Sequence, residues 1–136
     1  KYAAYSRDFF GLSACDGPDG YSAFGAPGWI HDDGTITPTS AVATLNVTPD
    51  RALAFTEVMR RDHAAAFGQY GYPNGYNPTR KWIDPDVIGI DLGMMLCAIE
   101  NRRDGFVWKL TNGDPVIKRG FSRIGFRRAS GSRLRG

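Results

Sequence analysis

Cysteine and histidine are scarce in this chain, with two of each among 136 residues. Two cysteines, Cys15 and Cys97, cannot build a disulfide framework, and their separation matches no metal-site spacing. They are expected to be buried free thiols, with a single bridge as the alternative. His31 and His63 lie far apart and lack neighbouring ligands at a recognised spacing, so neither a metal site nor a cofactor is expected. No apolar run is long enough for a transmembrane helix, and the start carries no secretory signal pattern. No serine or cysteine sits in a nucleophile elbow, and no glycine run opens a helix as a phosphate loop does.

Acid is missing from the end of the chain. All 14 acidic residues lie at or before Asp114, alongside 10 of the 17 Lys and Arg, while the stretch from Lys118 to Gly136 holds seven cations. The net charge of +3 therefore comes from this basic end. Residues 127–136 are read as a basic, solvated tail, with nucleic-acid or membrane-surface binding as the alternative.

What is present is enough apolar material for a core, 42% of residues with 12% aromatic, in a length usual for one domain. Stacked turn signals, Asp16-Gly17-Pro18-Asp19-Gly20, Gly25-Ala26-Pro27-Gly28 and Asp32-Asp33-Gly34, make residues 2–37 an irregular loop. A loop of that length in a compact domain is often functional. One or two helical turns are expected over Ser40 to Leu45. Thr48, Pro49 and Asp50 form a helix start, with the Thr48 side chain as N-cap, and the apolar spacing predicts a helix to about Phe67.

A second loop, Gly68 to Pro85, carries Tyr70, Tyr72, Tyr76 and Trp82. From about Asp86 to Asn101 the pattern is apolar nearly all round, which predicts a helix covered on every side. Short helices over Phe106 to Leu110 and from Asp114-Pro115 to about Ile124 complete an all-α reading without a convincing strand. One all-round apolar helix beside an amphipathic one suggests inner and outer layers that so few helices cannot close alone.

Two segments carry chemistry. The first loop sets Asp16, Asp19, Asp32 and Asp33 beside Tyr21, Phe24 and Trp29. Carboxylates grip hydroxyls through charge-assisted hydrogen bonds, and aromatic faces stack on the C–H surface of a sugar ring. The same Asp and Gly residues also serve as plain turn formers. Asp91, a carboxylate in an apolar helix, needs a partner or a cavity to offset desolvation, which suits either a tuned acid or base or a helix-start Asp held by the helix dipole. Glu100, close to Arg102 and Arg103, reads as a structural ion pair.

The blocks Gly11-Leu12-Ser13-Ala14-Cys15-Asp16-Gly17-Pro18-Asp19-Gly20-Tyr21, Gly25-Ala26-Pro27 and Asp33-Gly34-Thr35-Ile36-Thr37-Pro38-Thr39 resemble the glucoamylase-like domain family. So do Tyr70-Gly71-Tyr72, Tyr76-Asn77-Pro78, Gly89-Ile90-Asp91, Ile99-Glu100-Asn101 and Val107-Trp108-Lys109-Leu110, in the same order up to about Phe126. The family resembles the bacterial endo-β-1,2-glucanases of glycoside hydrolase family 144 and a domain of cyclic β-1,2-glucan synthases.

The resemblance implies an (α/α)6 toroid of about three times this length, with residues 1–126 as its C-terminal portion and long irregular active-site loops. It implies an inverting, two-carboxylate glycoside hydrolase acting on a β-glucan, β-1,2-linked. Asp91 is then the catalytic base. The general acid is expected upstream, so this piece alone is expected to be inactive. Asp16, Asp19, Tyr21, Trp29, Asp33, Tyr72, Tyr76 and Trp82 are implied substrate contacts.

Its expected partners are an oligo- or polysaccharide and the remainder of the ring or a second copy, with no nucleic acid and no membrane insertion. The resemblance favours a periplasmic or extracellular location. The chain departs from the family pattern at Leu92 and Met94, where Gln and Pro are usual, and at Asn74, where Asp is usual. Those departures carry the alternative of a non-catalytic glucan-binding or scaffolding remnant.

Overall fold

The computed structural model describes residues 5–25 and 30–126. It is mostly helical: α1 (Pro38–Ala43) runs into a 3-10 turn (Thr44–Asn46), followed by α2 (Pro49–Asp62) and a second 3-10 turn (Ala64–Ala66). Then come α3 (Gly89–Arg103), α4 (Phe106–Gly113) and α5 (Pro115–Arg123). The basic tail, residues 127–136, and the Gly25-Ala26-Pro27 block beyond Gly25 lie outside the described residues. No helix among the described residues is long and apolar enough to cross a membrane.

Proline begins three of the five helices, at Pro38, Pro49 and Pro115, where its fixed φ suits the first turn and its missing N–H costs no hydrogen bond. The caps behave differently. Asp114 Oδ1 accepts the N–H groups of Val116 (2.6 Å) and Ile117 (3.2 Å), as its spacing suggests. Thr48 makes no such bond, because its hydroxyl is paired with that of Thr44 at 3.0 Å. The α2 helix ends at Asp62, not near Phe67: His63 leaves helical geometry and its Nδ1 meets the Tyr76 hydroxyl at 2.9 Å. Between α3 and α4, Gly105 at φ +73° donates its N–H to Asn101 O at 3.0 Å, a left-handed helix stop that glycine adopts without strain.

The two loops are not structureless. β1 (Ala14–Cys15) pairs antiparallel with β2 (Ser22–Ala23), Ala14 opposite Ala23 and Cys15 opposite Ser22. The Asp16 to Tyr21 motif is thus the tip of a hairpin, closed by reciprocal Gly17 and Gly20 hydrogen bonds of 3.1 and 3.0 Å. β3 (Tyr76–Asn77) and β4 (Trp82–Ile83) form a second hairpin, and Ile36 bridges to Tyr76 through two 2.9 Å bonds. Strands of two residues are too short to leave an alternating pattern in sequence.

The core gathers Phe9, Ile36, Val42, Phe55, Met59, Ala66, Tyr72 and Tyr76, so the loops and the α1–α2 pair share one interior. A smaller cluster of Leu45, Ala52 and Ala98 joins α3 to it, with Asn46 Nδ2 donating to Ala98 O at 2.8 Å. The all-round burial expected of α3 is not found. Only Asp91 and Ala98 of this helix are buried, and Ile90 is 74% exposed, because no described element covers its outer face. α4 packs on α3 and α5 on α4, and neither buries a residue. Cys15 is a buried free thiol as expected, whereas Cys97 is free and exposed on α3.

Candidate functional site

Asp91 sits in the first turn of α3 and is 8% exposed. A carboxylate so buried needs a donor, and Asn74 supplies it: Nδ2 donates to Asp91 Oδ2 at 2.6 Å. The other end of the same amide, Oδ1, accepts the backbone N–H of Asp16 at 2.7 Å. One buried side chain therefore links the tip of the β1–β2 hairpin to the acid of α3.

Close backbone approach makes this possible. A Cβ on Gly75 would lie 2.0 Å from Asp16 O and 3.0 Å from the Trp82 ring, so only glycine lets the two loops meet here. Asn74 itself is fixed by its N–H to Asp86 O at 2.9 Å. That contact, with Asp86 N–H donating to Asp84 Oδ1 at 3.0 Å, holds residue 86 in the loop. It explains why α3 begins at Gly89 and not at Asp86.

The remaining expected residues divide into four groups. Asp19 and Asp33 converge on Arg80, in the turn of the second hairpin: Asp19 is paired with its guanidinium, and Asp33 Oδ2 lies 3.9 Å from it. The Arg80 hydrogen bond holds the Asp19 carboxyl below its usual range, and Asp33 also accepts the Thr35 N–H at 2.9 Å. Tyr21 is exposed at the hairpin tip and Trp82 is half-buried against Gly75. Trp29 lies outside the described residues.

Tyr72 and Tyr76, implied as substrate contacts, belong to the core cluster, each 8% exposed. Tyr72 packs edge-on against Phe55 and Phe67, and the Tyr76 hydroxyl is engaged by His63. Their rings are worth more in the interior, at about 1.5–3 kcal/mol each, than on a wet surface.

Three polar residues at the site carry no sequence signal of their own. Asn74 stands out only as a departure from the family pattern. Asn77 is fully buried and donates to Asp33 O and Thr35 Oγ1, both at 3.1 Å, which stiffens the acidic loop. Asp84 is 5% exposed, and burial, with the charges of Asp16 and Asp86 beside it, pushes its carboxyl above the usual range. In sequence, Asp84-Pro85-Asp86 reads as a turn. Burial also raises Cys15 to about 11, so it is a thiol at neutral pH and no nucleophile. A groove of about 860 Å³ between α4 and α5, lined by Trp108, Phe121 and Phe126 among others, contains none of the expected site residues.

Acids held in hairpin loops beside aromatic rings offer acceptors for hydroxyls and faces for apolar stacking. The family model described as "Putative glucoamylase" matches residues 1–115, and the chain belongs to that family. It is 32% identical over 124 residues to an exo β-1,2-glucooligosaccharide sophorohydrolase of Parabacteroides distasonis, covering 90% of this chain and 17% of that protein.

Among solved structures, it superimposes on a protein described as a putative glucoamylase from Bacteroides fragilis with a TM-score of 0.88 and 32% identity, over 96% of this chain and 31% of that one. An endo-β-1,2-glucanase from Chitinophaga pinensis, in complex with sophorotriose and glucose, gives 0.83 and 31%, over 90% and 29%. The chain thus spans less than a third of the length of these relatives.

Proposed function

We propose that this chain is one portion of an (α/α)6 glycoside hydrolase that cleaves a β-1,2-linked glucan with inversion, and that Asp91 is its catalytic base. The observation that carries the reading is Asp91 itself, a buried helix carboxylate oriented by the Asn74 amide at 2.6 Å. The β-1,2-glucan activities named for the sophorohydrolase and the endo-glucanase support the substrate class. Their greater length, and the uncovered apolar faces of α3 to α5, support a ring of which these helices are a part. Residues 1–126 are its C-terminal portion and residues 127–136 a basic tail.

In an inverting cleavage Asp91 takes a proton from a water whose oxygen attacks the anomeric carbon. A carboxylic acid on the opposite side of the sugar, about 6.5–9.5 Å away, protonates the departing glycosidic oxygen as the C–O bond breaks. That acid belongs to the part of the ring outside this chain, so the chain alone is inactive. Asp16, Asp19, Tyr21, Trp29, Asp33 and Trp82 contact the glucan, the carboxylates accepting from hydroxyls and the rings stacking on sugar faces. Tyr72 and Tyr76 support them from the core. The enzyme works in the periplasm or outside the cell.

A second reading, a glucan-binding remnant without activity, is favoured by the apolar Leu92 beside Asp91, whose Cδ2 lies 3.7 Å from a Cβ placed on Gly71. Incubating the full-length protein with linear β-1,2-glucan and following optical rotation with reducing-end release separates the two. Hydrolysis producing the α-anomer first is the expected result. The β-anomer first would exclude inversion, and binding without cleavage would establish the remnant.

A further inference from the structure

Three carboxylates converge at the junction of the two hairpins, outside the Asp91–Asn74 pair. Asp16 follows β1, while Asp84 and Asp86 follow β4, and each offers one oxygen within 4.8 Å of the other two. The backbone brings them together, through the Gly75 approach to Asp16 O and the Asp84 N–H to Gly75 O bond at 3.1 Å. Asp84 adds a second, independent observation. It is 95% buried, and although Oδ1 accepts the Asp86 N–H, Oδ2 is buried with no hydrogen-bond partner. Burying a carboxylate oxygen with nothing to bind is costly.

No cation of the described residues offsets this charge. Arg80, on the same hairpin, is committed to Asp19 and Asp33, and no ion pair among the described residues includes Asp16, Asp84 or Asp86. Calcium holds oxygen ligands at about 2.3–2.6 Å, so two oxygens on one ion stand up to about 5 Å apart. The separations within the triad fit that limit. Its donors are all hard oxygens, without the nitrogen or sulfur that favours zinc or copper. The expectation of no metal site rested on histidine and cysteine spacing, which cannot register acids that meet only on folding.

We propose that Asp16, Asp84 and Asp86 form a calcium site that fastens the β1–β2 hairpin tip to the β3–β4 hairpin. The ion neutralises Asp84 and fixes Asp16, whose N–H is the anchor of the Asn74 bridge to Asp91. Water and backbone carbonyls complete its shell. The proposal is independent of the hydrolase reading, since its test needs no substrate.

Terbium, a luminescent stand-in for calcium, is titrated into the full-length protein with excitation of tryptophan, because Trp82 lies beside Gly75 and hence near Asp16. The expected result is sensitised emission that calcium displaces, together with a calcium-dependent rise in melting temperature. Asp84→Asn should weaken both by about tenfold or more, since affinity follows the number of ligand charges. Asp50→Asn, at an exposed position of α2, should change neither. No displacement and no thermal shift at about 5 mM calcium, near the weak limit of calcium modules, would overturn the proposal. So would full retention of binding in both Asp84→Asn and Asp16→Asn, or a response to magnesium but not to calcium.

Discussion

Phe55 and Phe121 are the same side chain in opposite circumstances: the first is completely buried among Phe9, Phe10 and Tyr72, while the second is 43% exposed and meets Phe126 at 5.8 Å. The contrast extends to the regions that hold them. From Tyr5 to the second hairpin the chain has an interior of its own, in which Phe9, Ile36, Phe55, Met59, Tyr72 and Tyr76 are buried between its loops and α1–α2, although Tyr21, Val47, Phe67 and Tyr70 stay exposed. Beyond Gly89, Ile90, Leu96, Phe106, Leu110, Phe121 and Ile124 are left on the outside. The first region satisfies itself and can therefore hold polar side chains to within hydrogen-bond distance. The second has the composition of an interior and no cover among the described residues, a cover that the proposed ring would supply.

Four substitutions sharpen or break that contrast, beginning with the largest effect. Phe55→Ala should destabilise the protein by about 3–5 kcal/mol, because it leaves a cavity in a packed interior. Phe121→Ala should cost no more than about 0.5 kcal/mol in the 136-residue chain but clearly more in a longer protein whose proposed ring covers α5. Urea melts of both variants in both lengths check this pair, and an equal cost for Phe121→Ala in the two lengths would remove the argument for a missing cover.

Asn74→Ala should cost about 1–3 kcal/mol, since it strips a buried carboxylate of its donor and frees the Asp16 N–H. Thermal unfolding reads that loss. Its structural signature is higher amide exchange at both Asp16 and the start of α3. Exchange rising at only one of the two would mean that the bridge does not couple them. Asp114→Ala should cost about 1 kcal/mol for a lost cap and should loosen α5 by helix-specific hydrogen exchange without touching the core.

Much of the local structure in both regions was legible in sequence. Proline at three helix starts and the Asp114 cap depend on neighbours within one turn, and so does the Glu100–Arg103 pair at 2.8 Å. The resemblance was carried by contiguous blocks, such as the Asp16 to Tyr21 motif, which is a real structural unit, the tip of a hairpin.

Apart from the Thr48 cap, lost to a hydroxyl four residues before it, the readings that failed depended on distant partners. Thr48 is diverted from its cap by Thr44, and α2 stops where His63 turns to Tyr76. Tyr72 packs on Phe55 and Phe67 and Tyr76 on Phe9 and His63, contacts that no loop pattern encodes. At the candidate site, Asp91 was legible because a carboxylate in an apolar helix breaks a periodic pattern. Asp84 and Asn74 were not, since an Asp before proline and an Asn before glycine look like turn formers until two loops close on them.

The central claim is that Asp91 is the base of a glucan-cleaving site. Its direct test is the initial rate of β-1,2-glucan hydrolysis by the full-length protein and by Asp91→Asn, a near-isosteric change. The account predicts a loss of about 100-fold or more, the usual contribution of a general base, with an unchanged circular dichroism spectrum and retained glucan binding. A variant that cleaves the glucan at the wild-type rate would contradict it.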